Sequence, residues 1–97
     1  MIRHVVFFRC KERQDLETVY EGLSLLSEIP HIRNFEIGRN LRADTISPEA
    51  PDFVVYGEFD SQEQLDAYKN HPAYERSISV VRPLRDMRIA ADFLSEG

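Results

Sequence analysis

The chain has 97 residues, 42% hydrophobic and 30% charged, and its 12 Lys and Arg against 17 Asp and Glu give a net charge of −5. That balance excludes a disordered segment and points to one soluble domain, residues 1–97, with a single core. Uncharged stretches fall well short of the roughly 20 apolar residues of a membrane span, and an acidic chain repels phosphate backbones, so neither membrane nor nucleic acid is an expected partner.

The opening MIRHVVFFRC is basic and apolar, but its apolar run is too short for a signal-peptide core and no small-residue cleavage site follows, so a cytoplasmic location is expected. Ile2 to Cys10 reads as a strand rich in β-branched and aromatic residues. Ile2, His4, Val6, Phe8 and Cys10 share one face; Arg3, Val5, Phe7 and Arg9 share the other. The lone Cys10 has no partner for a disulfide and reads as a buried, inert thiol. Gln14 to Ile29 reads as a helix, with Leu16, Val19, Tyr20, Leu23, Leu26 and Ile29 on one stripe and Pro30 as its stop. Ile32 to Leu41 is a second strand with Phe35, Ile37 and Leu41 on one face, where Gly38 suggests a bulge or a close backbone approach. A loop from Arg42 to Pro51 leads to a third strand, Asp52 to Phe59.

Ser61, with Gln64 three residues on, fits a helix cap, and Leu65 and Tyr68 face inward from the short helix that follows. His71-Pro72 ends it. Pro72 then suits the first position of another helix, Pro72 to Val81, with Ile78 and Val81 inward and Pro83 as its stop. The His71 ring is expected to cap the end of the helix before it. Met87 to Leu94 alternates as a last strand: Met87, Ile89, Ala91 and Phe93 against Arg88, Ala90, Asp92 and Leu94.

The order β-α-β-β-α-α-β is an α+β, ferredoxin-like split arrangement with a four-stranded antiparallel sheet and a broken second helix. Helices cover one sheet face. On the other, Val5, Phe7, Val54 and Tyr56 form an apolar surface of the kind that marks an interface, and a twofold homodimer packed sheet on sheet accounts for it.

The segments IRHVVFF, IPHIRNFEIGRN, DFVVYGEFDS, LDAYKNHPAYE and VRPLRDMRIAADF, in this order and spacing, resemble the stress-responsive dimeric α/β-barrel family over nearly the whole chain. The resemblance implies a subunit whose sheet packs on a second copy to make a dimeric barrel. It also implies site residues. A plant branch of the family closes polyketides by intramolecular aldol condensation, with a first-strand histidine that matches His4 and a helical tyrosine and His-Pro pair that match Tyr68 and His71-Pro72. The second catalytic histidine of those cyclases falls at Tyr74, a third-strand pocket histidine at Phe53, and bulky apolar pocket residues at Arg85 and Arg88. Aldol closure needs a base beside a carbonyl and a donor for the enolate; a phenol is a poor base and a passable donor.

The catalytic candidates are therefore His4 and His71, and the binding candidates Tyr68, Phe8, Tyr74 and Arg88. Each has a plainer reading. His4 and Tyr68 fit as hydrogen-bonded core residues, and His71 as punctuation between helices. Arg85 and Arg88 fit as sheet-edge or interface residues paired with Asp86 and Asp92, ahead of presenting charge to an anionic ligand. Histidines at 4, 31 and 71, with no i,i+4 pair, HExxH or CxxC, give no metal site; no phosphate-cradling loop or GxSxG elbow is present, and no cofactor is expected. The first functional reading is a stress-associated dimer that binds a small apolar or carboxylated molecule between sheet and helices. The second is a lyase- or cyclase-type enzyme with His4 as general base, assisted by Tyr68 or His71. A third, that dimer stability is itself the function, requires that no ligand-sized pocket exist there.

Overall fold

In the computed structural model, which describes residues 1–96, the chain runs β1 (Ile2–Cys10), α1 (Leu16–Ser24), β2 (Arg33–Arg39), β3 (Phe53–Phe59), α2 (Gln62–Lys69), α3 (Pro72–Val81) and β4 (Arg85–Leu94). The strands form one antiparallel sheet in the order β2-β3-β1-β4. This is the ferredoxin-like α+β arrangement expected from the element order.

Period-2 alternation in β1 divides the sheet. Ile2, His4, Val6, Phe8 and Cys10 are all buried beneath the helices, and the residues between them are half-buried on the opposite face. Val55 lies opposite Val6, and Phe53 opposite Phe8, so β3 extends the same apolar layer. Val19 and Leu23 of α1, Leu65 and Tyr68 of α2, and Ala73 and Val81 of α3 close over it. Burial pushes the Cys10 thiol up and keeps it protonated, as an inert core thiol requires.

Some boundaries moved. The stripe expected as one helix from Gln14 to Ile29 is α1 flanked by 3₁₀ turns at Arg13–Asp15 and Leu25–Glu28. Neither Glu12 nor Asp15 caps with its side chain. At the far end Ser24 donates to the Tyr20 carbonyl (2.9 Å) and Ser27 to that of Ser24 (2.7 Å), a local competition with backbone pairing. Ile29, the residue before Pro30, is already extended. The irregularity expected at Gly38 lies instead between Arg33 and Glu36. There Asn34 takes a left-handed φ of 48°, which asparagine tolerates, and its amide donates to Glu58 at 2.7 Å. Leu41 falls outside β2 and is 91% exposed.

Gly22 does require the absence of a side chain. A Cβ there would stand 2.7 Å from Val80 Cγ1 and 3.0 Å from Val81 Cγ2, so α1 and α3 touch at this point. At the open end of the sheet the buried Asp52 carboxylate accepts from the Cys10 amide at 2.8 Å and pairs with Arg13 and Arg42, which satisfies a charge that burial would otherwise penalise. The sheet face away from the helices carries Val5, Phe7, Val54 and Tyr56, together with Ile89 and Phe93, which remain 57% and 52% exposed. No helix among the described residues is long and apolar enough to cross a membrane.

Candidate functional site

Between the sheet and the helices lies a cavity of about 270 Å³. That is space for roughly nine heavy atoms, taking about 30 Å³ each by analogy with water. The reading in which stability alone is the function needed this space to be filled. His4, Val6, Phe8 and Val55 form the sheet side of the cavity. Leu23 and Leu26 close one wall, Tyr68, Tyr74, Ser77, Ile78 and Val81 the helical wall, and Arg82, Arg85 and Arg88 the remaining side.

His4 is 2% exposed. It reaches this depth because β1 alternation sends it under the helices, opposite Gly57 of β3. On its other side it is paired with Asp92 of β4, and its Nδ1–H donates to the Asp92 carboxylate. A carboxylate only accepts, so this contact fixes the tautomer and leaves the lone pair on Nε2 of a ring that lines the cavity. Burial, the largest influence, holds the His4 pKa below the ordinary 6.5; the Asp92 hydrogen bond and charge pull it back up, and Lys69 and Arg88 push it down. The imidazole is therefore neutral at neutral pH. Asp92 itself is 37% exposed on the edge strand.

Tyr68 is buried edge-on to His4, with ring centroids 6.0 Å apart, and meets Tyr74 at 5.3 Å. Burial drives the Tyr68 phenol far above its ordinary value, so it remains a hydrogen-bond donor. Tyr74 supplies a second hydroxyl, 3.5 Å from an Arg88 nitrogen.

His4, Phe8, Tyr68, Tyr74 and Arg88 are thus brought together around one space. His71 is not. It stands at the N-cap of α3 and its Nδ1 accepts from the Ala73 amide at 3.0 Å, so its ring is committed to backbone outside the cavity lining. This also corrects the capping direction: the ring closes the start of the helix that follows it, as an acceptor, rather than the end of the one before. The expected pairing of Arg85 and Arg88 with Asp86 and Asp92 is overturned as well. Asp86 binds Arg9 at 2.8 Å, Asp92 binds His4, and both arginines line the cavity. Sequence reasoning missed Asp92 as a site residue. Its signal was an acid near the end of β4 on the helix-facing side, and only the β1–β4 register sets it opposite His4. Among the described residues no group of three His, Cys, Asp or Glu side chains is placed to hold a metal ion.

The sequence pattern of the stress responsive A/B barrel domain family matches residues 2–95. A dimeric ferredoxin-like protein of unknown function from Thermobifida fusca is 28% identical, with a TM-score of 0.79 over 97% of this chain and 90% of that one. A protein of the same barrel family from Mesorhizobium loti is 24% identical, with a TM-score of 0.78 over 99% of this chain and 97% of that one. A protein from Nitrosomonas europaea named as a candidate antibiotic biosynthesis monooxygenase shares the fold at 17% identity, with a TM-score of 0.80 and full coverage of both chains. No curated protein matches the sequence.

Proposed function

The chain belongs to the stress responsive A/B barrel domain family, and from that premise we propose that it is a sheet-to-sheet homodimer whose subunits each bind a small, largely apolar carbonyl compound, on which His4 acts as general base. His4 on the cavity wall, held from behind by Asp92, carries this reading. Nε2 takes a proton from the carbon beside the carbonyl, and Asp92 stabilises the imidazolium that results. The enolate oxygen accepts from Tyr68 or Tyr74, and the positive charge of Arg88 favours it over the neutral ketone. The carbon so activated then either bonds to a second carbonyl carbon, whose oxygen takes the proton back from His4, or forms a double bond to its neighbour as that neighbour's leaving group departs with the His4 proton, the cyclase and lyase branches of one mechanism. Tyr74 replaces a second base with a donor, so one histidine carries the proton traffic.

The dimer is supported by the open apolar sheet face and by the dimeric relative from Thermobifida fusca. A single domain, a cytoplasmic location, a role under stress and no partnership with nucleic acid belong to the same reading; the last is supported by the net charge of −5.

Native mass spectrometry of gently purified protein, followed by deuterium exchange into the retained compound, tests it. The expected result is a dimer carrying a small molecule whose α-hydrogens exchange about 10²- to 10⁴-fold more slowly in His4→Ala, with folding intact. Retained binding with unchanged exchange reduces the protein to a binding module, and a monomer removes the barrel.

A further inference from the structure

Nine of the ten arginines divide into two groups; the tenth, Arg3, lies outside the cavity lining and is in no ion pair among the described residues. Arg9, Arg13, Arg33, Arg39, Arg42 and Arg76 each hold a carboxylate of this chain. Among the described residues Arg82, Arg85 and Arg88 hold none, and all three line the same cavity. In a protein of net charge −5, carboxylates are abundant, yet these cations stand together without one.

We propose that Arg82, Arg85 and Arg88 bind the carboxylate of the ligand, so that the cavity takes an organic acid with its charged head at the arginines and its apolar body along Val6, Phe8 and Val55. The proposal rests on the cavity reading above and names its substrate class.

Like charges brought together raise one another's energy, and an anion relieves this. Arg85 shows the effect: its pKa is lowered first by burial and then by Arg88 and Arg82. A guanidinium presents a planar fork that matches a carboxylate, and three of them on one wall fix its orientation. Arg82 and Arg85 flank the turn that leads from α3 into β4, and Arg88 follows on the strand, so backbone of fixed geometry aims the cluster. The Arg88 charge is felt by both His4 and Tyr68, and the arginines line the same cavity as the base. A carboxylate held by three cations is stabilised as it stands. It serves as a handle and not as a leaving group, and the reacting carbon lies toward His4.

Phenylacetate and phenylacetamide, equal in heavy atoms and differing in charge, test the assignment by amide NMR titration of the intact protein. Phenylacetate is expected to bind about ten- to a hundredfold tighter, the range set by hydrogen bonds to a charged group. The advantage should shrink with added salt and vanish in Arg85→Gln/Arg88→Gln, while phenylacetamide binds that variant as it binds the wild type. Shifts should map to Val6, Phe8 and Tyr74. Equal affinities for both probes overturn the carboxylate site and leave the cavity reading standing. Absence of binding by both overturns the two together. Tighter binding of phenyl phosphate than of phenylacetate overturns the carboxylate in favour of a phosphoryl head.

Discussion

Ile89 and Phe93 point from β4 away from the helices and stay 57% and 52% exposed, which makes them the sharpest probe of the proposed sheet-to-sheet dimer. Burying a whole side chain of this kind is worth about 1.5–3 kcal/mol. The exposed half of each, less the methyl that alanine keeps, comes to about 1 kcal/mol for Ile89 and about 1.5 for Phe93. A twofold interface counts every substitution twice. Ile89→Ala alone should therefore weaken the dimer by about 2 kcal/mol, roughly thirtyfold, and the double change Ile89→Ala/Phe93→Ala by about 5 kcal/mol, roughly 4000-fold. The two sites lie four residues apart on one strand, about 13 Å, so their effects should add. Sedimentation equilibrium across a dilution series reads the dissociation constant, and far-UV circular dichroism checks that the fold survives. A folded double variant that associates as tightly as the wild type refutes the reasoning, because the face would then not be where the copies meet.

Two further outcomes separate roles inside the subunit. The folded pKa of His4 lies below its ordinary 6.5, chiefly through burial, so the unfolded chain binds more protons between the two values. The stability this contributes is complete above the unfolded value and is lost as pH falls through the window below it; urea midpoints should drop on acidification from pH about 7.5 to about 5, and His4→Gln should flatten that drop. A steeper drop in the variant would count against a neutral buried imidazole. His71→Ala should cost about 1 kcal/mol in the same urea assay, the value of a helix cap, with deuterium exchange into bound ligand unchanged. A large loss of exchange there would restore His71 to the chemistry.

The fold was legible because it rests on local signals. The alternation in Ile2–Cys10, the Ser61 cap, which accepts from the Gln64 amide at 3.2 Å, and Pro72 at the start of α3 each declare themselves within a few residues. The helix around α1 was overextended at its far end because the apolar stripe runs on through Leu26 of the second 3₁₀ turn, and side-chain periodicity does not distinguish the tighter winding. The site was half legible. His4, Phe8, Tyr68, Tyr74 and Arg88 could be gathered by face and by resemblance. Asp92 could not, since its role depends on a pairing between strands 88 residues apart. A one-residue slip of β4 would set it on the other face. The arginine pairings failed for the same reason: nearness in sequence suggested Asp86 and Asp92, and the sheet gave those acids to Arg9 and His4.

Gly22 lines no part of the cavity, yet it sets how near α1 comes to α3, the helix that supplies Tyr74, Ser77, Ile78 and Val81 to one wall. With 2.7 Å between a would-be Cβ and Val80, any larger residue at 22 must push that wall outward or force Val80 to shrink. Position 22 and position 80 together act as a caliper. Exchanging volume between these two positions would widen or narrow the chamber without touching any residue that lines it.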